Sequence, residues 1–288
     1  MFDLLTDVIL DTLKILPFLF LTYLAMEYLE HRMGSRAAVY LAEARWKGPL
    51  IGAAVGVVPQ CGFSATAAGF YSGGLLTAGT LLAVFLSTSD EMIPVMLGSS
   101  IAVTRILKIL AWKVVIASLT GLLVDFIFRK RKRAIGTAHH ISDLCHDENC
   151  SCGDHKAGLL RPALRHTLKT ILFVFLISYA AGLLIDLIGE ASLTAFLTKH
   201  QVSGIFFAAL IGLIPNCAAS VMITTLFASG LITTGQLMAG LLVSAGVGVA
   251  VLFRNNRHCM AENLKLTGIL YASGVIWGLM LMLLHVEI

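Results

Sequence analysis

The sequence predicts an all-α polytopic membrane protein built from two inverted-topology repeats of about five helical segments each, with broken or re-entrant helices. Three observations predict it: two very long uncharged runs, short motifs that recur at a nearly constant spacing, and the uneven distribution of Lys and Arg between loops.

Residues 48–89 and 201–253 contain no Asp, Glu, Lys or Arg, runs of 42 and 53 residues. About 20 apolar residues suffice to span a bilayer as a helix. Hydrophobic residues make up 57% of the chain and charged residues 13%, against roughly half and a quarter in soluble domains. A transmembrane β-barrel would alternate in segments of about 10 residues, and no such pattern occurs. The net charge of +4 reflects basic cytoplasmic loops rather than a nucleic-acid surface. Asp3, Asp7 and Asp11 stand where a signal peptide would be basic, so the first helix is expected to remain in the protein.

The repeat is legible in short motifs. T12-L13-K14 is answered by T167-L168-K169, and F18-L19-F20-L21 by F173-V174-F175-L176. P59-Q60-C61 is answered by P215-N216-C217, G74-L75-L76-T77-A78-G79 by G230-L231-I232-T233-T234-G235, and L107-K108 by L264-K265. The offset stays between 155 and 157 residues throughout, which divides the chain into a first repeat (1–128), a linker (129–165) and a second repeat (166–288).

Basic residues set the orientation. The linker carries Arg129, Lys130, Arg131, Lys132, Arg133, Arg161 and Arg165 and is expected in the cytoplasm. The first helix ends at His31, Arg32 and Arg36, followed by Arg45 and Lys47, so its C-terminal end is also cytoplasmic, whereas its counterpart starts beside Arg165. Equivalent helices then run in opposite senses, an arrangement that recurs in secondary transporters and needs an odd number of crossings per half. The first half offers segments near 7–29, 48–72, 75–87, 90–103 and 107–128. The second offers 168–188, 203–228, 231–243, 245–257 and 264–285. Several are too short to span alone and read as half-helices or a re-entrant hairpin. Glycines 73, 74, 79, 230 and 235 are expected at turns and close helix contacts.

The motifs V57-V58-P59-Q60-C61-G62-F63-S64 and L213-I214-P215-N216-C217-A218-A219-S220 place Pro and polar groups inside uncharged runs. Proline removes a backbone donor and clashes with the preceding turn. A broken helix at membrane depth is tolerated where it lines a cavity or is buried in protein. The pair therefore points to two helix breaks facing a central site, with Gln60, Cys61, Ser64, Asn216, Cys217 and Ser220 as substrate-binding candidates. Paired thiols suit soft ions; the plainer alternative is a kinked helix with Cys as a small packing residue.

S87-T88-S89-D90-E91 has the Ser/Thr-to-acid spacing of a capping box before M92–L97. Asp90 and Glu91 are candidates for cation binding or proton coupling, or else mark a loop end at the interface. The matching S244-A245-G246-V247-G248 is uncharged. Lys14, Lys108, Lys169 and Lys265 read chiefly as snorkelling residues near helix ends, with Arg105 and Arg254 alike.

In the linker, Cys145, His146, Cys150, Cys152 and His155 lie within a few residues of one another. Thiolates and imidazoles so placed suit Zn²⁺ or Cu⁺, although C-x4-C-x-C-x2-H is no standard zinc finger and a reduced polar linker is the alternative. A metal held in that loop is the one cofactor expected; none is required.

With the repeat, the paired P-[QN]-C motifs and the His/Cys-rich loop in view, the chain resembles, over essentially its whole length, the ten-span heavy-metal exporter family. That family is labelled variously arsenic efflux protein or manganese transporter and is related more distantly to the organoarsenical permeases. The resemblance implies an inner-membrane, multi-pass permease for a metal or metalloid. Cys61 and Cys217 favour As(III) or another soft ion; Mn²⁺ would draw on Asp90, Glu91 and neighbouring oxygens. A small-anion or sulfur-compound carrier is the other alternative, with helix N-termini as the anion-facing groups. No Walker A pattern occurs, and no H-E-x-x-H or G-x-S-x-G, so neither an intrinsic ATPase nor an enzyme is expected. The expected partners are the bilayer and the ion. A homo-oligomer is compatible with the sequence, and nucleic acid is not expected.

Overall fold

The computed structural model describes residues 6, 8–10, 12–17, 19–21, 23–24, 47–58, 61–89, 92–99, 101–131, 160–188, 197 and 201–284, with the side chains at 61, 129–131, 160–162, 184–188 and 258 excepted. These residues form helices joined by turns, with no strand among them. After helical residues between 6 and 24 come α1 (Gly48–Gly56), α2 (Cys61–Ser72), α3 (Ala78–Ser87), α4 (Met92–Gly98) and α5 (Val103–Arg131). Then follow α6 (Leu160–Ile188), α7 (Gln201–Gly212), α8 (Cys217–Ala228), α9 (Thr234–Val243), α10 (Gly248–Asn255), a 3-10 turn at Arg257–Cys259, and α11 (Met260–Leu283).

Local chemistry explains the boundaries. Pro49 stands in the first turn of α1, where its missing N–H costs nothing. Thr77 caps α3, accepting from the Thr80 amide at 3.1 Å. Thr233 caps α9 in a reciprocal box with Gln236. Both α2 and α8 end in a Schellman turn on a glycine with positive φ, Gly74 at 75° and Gly230 at 72°. Leu75 N bonds Phe70 O and Leu231 N bonds Leu226 O, each at 2.9 Å.

Among the described residues five apolar helical stretches are long enough to cross a membrane: Ala78–Gly98, Val103–Phe128, Ala163–Leu183, Thr234–Asn255 and Met260–Leu283. The first and fourth each contain two helices, α3 with α4 and α9 with α10. Thr234–Asn255 is almost wholly buried, whereas Ala163–Leu183 is mostly uncovered. On α6, Leu164, Leu168, Leu172 and Leu176 form a stripe 50–61% exposed. Four leucines at i, i+4 spacing facing outward would be a liability in water; in lipid they meet a solvent as apolar as themselves.

The interior is assembled from close backbone approaches. α3 packs along α5, α9 along α11, α1 along α3 and α7 along α9. A Cβ added at Gly121 would come within 2.7 Å of the Gly79 carbonyl oxygen, and one at Gly278 within 2.8 Å of the Gly235 carbonyl oxygen. Small residues at such crossings let helices gain dispersion contacts where no hydrophobic force drives association. The halves also exchange partners: α2 packs on α10, and α8 packs on α4.

Several boundaries differ from those that hydropathy suggests. α5 begins at Val103 rather than 107, α6 at Leu160 rather than 168, and α11 at Met260 rather than 264. Helical hydrogen bonding does not stop where apolarity stops. The exposed Arg105, Lys108 and Arg165 sit on helix with their charges outward.

Candidate functional site at the helix interruptions

In the second half, α7 stops at Gly212 and α8 starts at Cys217. Across the four residues between, Ile214 N bonds Ile211 O at 3.0 Å and Asn216 N bonds Ile214 O at 2.7 Å, short turns that replace the helical ladder ahead of Pro215. Asn216 is extended (φ −146°, ψ 142°), and its Oδ1 accepts the Ala218 amide at 3.1 Å, so it caps α8. Its Nδ2 donates to Ser178 O on α6 at 3.2 Å, while the Ser178 hydroxyl donates to Pro215 O at 3.4 Å. The Pro215 carbonyl at the interruption is thus taken up by α6, in keeping with a low-dielectric setting.

Asn216, Cys217 and Ser220 therefore sit together at the first turn of α8, all buried. The Ser220 hydroxyl donates to Cys217 O at 2.8 Å, which leaves its lone pairs as the groups it offers a ligand. In the first half α1 ends at Gly56 and α2 begins at Cys61; Gln60 and the Cys61 side chain lie outside the described residues. Ser64 is fully buried on α2. A Cβ added at Gly248, the first residue of α10, would meet Ser64 Cβ at 2.8 Å and Phe85 Cε1 at 2.9 Å. Asp90, Glu91, Cys145, His146, Cys150, Cys152 and His155 also lie outside the described residues. Among the described residues no group of three or more His, Cys, Asp or Glu could hold a metal.

A second pair of interruptions follows α3 and α9. Ser87, Thr88 and Ser89 are buried and turn their hydroxyls onto backbone carbonyls, Thr88 onto Val84 O at 2.7 Å and Ser89 onto Ser87 O at 3.0 Å. After α9, Ala245 N bonds Val243 O at 2.8 Å and Gly246 takes a positive φ of 52°.

Two charged residues of this interior were missed in the sequence. Lys113 on α5 is fully buried, and its ammonium donates to Thr88 O and, at 3.1 Å, to Leu241 O. The available signal was its position as the lone charge within 109–124, since an intramembrane ionisable residue is a functional candidate by default. Asp125 accepts the Gly79 amide at 2.8 Å and the Thr77 hydroxyl at 2.7 Å, placing a carboxylate at the positive end of α3. Its place close to the basic run disguised it as a helix-end charge.

Further out, the Tyr23 hydroxyl bonds Thr170 Oγ1 at 2.9 Å and Asn255 Oδ1 at 3.0 Å, joining the first helix, α6 and α10. Cys259 lies in the 3-10 turn. Burial pushes its thiol up and the Glu262 carboxylate adds to the effect, so it is a poor thiolate at neutral pH. No family model matches this chain, and no curated protein or solved structure matches it either.

Proposed function

We propose that this chain is an integral-membrane secondary transporter that moves a heavy metal or metalloid by alternating access around the two P-[QN]-C interruptions. The observation that carries this reading is a repeat of contacts, not only of letters. α2 and α8, α3 and α9, and α4 and α10 each start 156 residues apart (61 and 217, 78 and 234, 92 and 248). The Gly79–Gly121 and Gly235–Gly278 crossings and the Gly74 and Gly230 turns recur at the same spacing within a residue. Two equivalent units that swap helices across a shared interior, with interrupted helices at its centre, are the architecture of many secondary transporters.

The opposed sense of the halves has its own support. Leu19 and Val174 are equivalent positions of the first helix and α6, and both are fully buried. Tyr23, four residues past the one, bonds Thr170, four residues before the other. Parallel equivalent helices would set Tyr23 near 178, eight residues or roughly 12 Å further along; an antiparallel crossing centred on 19 and 174 sets it near 170. Thr120 and Trp277, also equivalent positions, bond each other at 3.1 Å, as residues near a twofold axis would.

The thiols of Cys61 and Cys217 favour As(III) or another soft ion as cargo, in keeping with the family resemblance. The test is survival and cell content of arsenite, methylated As(III), Mn²⁺, Zn²⁺ and Cu⁺ in cells with and without the protein, repeated with Cys61→Ser and Cys217→Ser. Lowered content of a thiophilic ion, abolished by either substitution while the protein still reaches the membrane, is expected. Unchanged transport in the double Cys variant would remove thiol coordination from the mechanism and favour the anion carrier. Accumulation changes confined to Mn²⁺ would shift the reading to an oxygen-ligand site.

A further inference from the structure

A buried ammonium in a membrane interior needs a reason. Taking such an ion out of water costs several kcal/mol even after relaxation, yet Lys113 shows no exposed surface. Its counterpart in the second half, 157 residues on, is Leu270, also buried, so the fold does not demand a cation at this position. What surrounds it is informative. Thr88 is the C-cap residue of α3, and Leu241 belongs to the last turn of α9. The Ala245 amide that would close the next turn onto Leu241 O bonds Val243 O instead, and beyond Thr88 the helix has ended. Two helices from different halves therefore turn their carbonyl ends toward one point. Each end carries partial negative charge, and the hydroxyl-bearing Ser87, Ser89 and Ser244 beside it are buried.

Converging carbonyls at the C-terminal ends of broken helices are a donor set for a monovalent cation. We propose that the ends of α3 and α9 form a monovalent-cation seat, and that Lys113 occupies it as a tethered ammonium, joining the two halves at their interruptions. The seat takes Na⁺, K⁺ or a primary alkylammonium when the tether is removed. This goes beyond the transport reading and does not depend on the cargo.

The experiment uses the purified full chain in detergent, comparing wild type with Lys113→Ala and Lys113→Met. Thermal unfolding is followed in chloride salts of Na⁺, K⁺, propylammonium and the bulky N-methyl-D-glucamine at constant ionic strength. The wild-type midpoint is expected to be the same in all four. Lys113→Ala should melt lower and regain stability saturably in at least one small cation relative to the bulky one. The expected rise is about 3–6 °C at ten times the dissociation constant. Lys113→Met fills the space of the stem without the charge; if the Ala variant does not fold, the same titration on the Met variant decides. A cation response no different from wild type in the variant that folds overturns the seat, as does a Met variant that melts with wild type.

Discussion

Replacing Asn216 separates the two bonds that this residue makes. Asn216→Ala removes the acceptor of the Ala218 amide and the donor to Ser178 O. Loss of an N-cap costs about 1 kcal/mol, with a range of roughly 0.5–2, and an interhelical hydrogen bond in a membrane protein averages about 0.6 kcal/mol. Ser178 lies inside α6, so its carbonyl keeps a helical partner and adds no further penalty. The total is about 2 kcal/mol, which at roughly 2–4 °C per kcal/mol lowers the unfolding midpoint by about 4–8 °C. Asn216→Ser keeps a good capping oxygen but is too short to reach α6, and should lose only about 1–3 °C. The assay is thermal unfolding of the detergent-purified variants, read beside metal transport. Equal melting of wild type and Asn216→Ala would refute the assigned bonds, and equal loss in the Ser and Ala variants would refute the division between cap and crosslink.

The glycine crossings predict a graded response. Gly121→Leu and Gly278→Leu each force a side chain against the facing glycine's carbonyl and should cost about 1–3 kcal/mol or more, seen as lost monodispersity on size exclusion. Gly268, in open space on α11, should accept Ala with a gain of about 0.5–1 kcal/mol. Asp125→Asn leaves one of its two donors, Gly79 N or Thr77 Oγ1, without a carboxylate oxygen and should cost about 1–2 kcal/mol. The check is faster amide exchange confined to the first turn of α3; unchanged exchange there would contradict the capping role.

Much of the plan was legible because membrane burial writes itself into composition. Uncharged runs follow from the cost of placing a charged side chain in hydrocarbon, and a proline inside such a run marks a break whose freed backbone groups must be satisfied there; both act on local sequence. The interruption before Cys217 and the glycine turns at Gly74 and Gly230 were readable for this reason. Helix ends were less so: Arg105 and Lys108 sit on α5 with their charges outward, and no hydropathy pattern separates a helix leaving the membrane from a loop.

By itself, then, the sequence determined that the chain is helical with apolar stretches long enough to cross a membrane, and that a helix must break ahead of Cys217. Only the tertiary structure decided which groups meet there. It brought Ser178 from α6 to the Pro215 carbonyl, Asp125 to the start of α3, and Lys113 to the ends of two helices that lie 25 and 128 residues away in the chain. The reason is physical: a backbone group's need for a partner is local, but the partner is supplied by whichever helix packs closely enough, and that packing is a property of the whole fold.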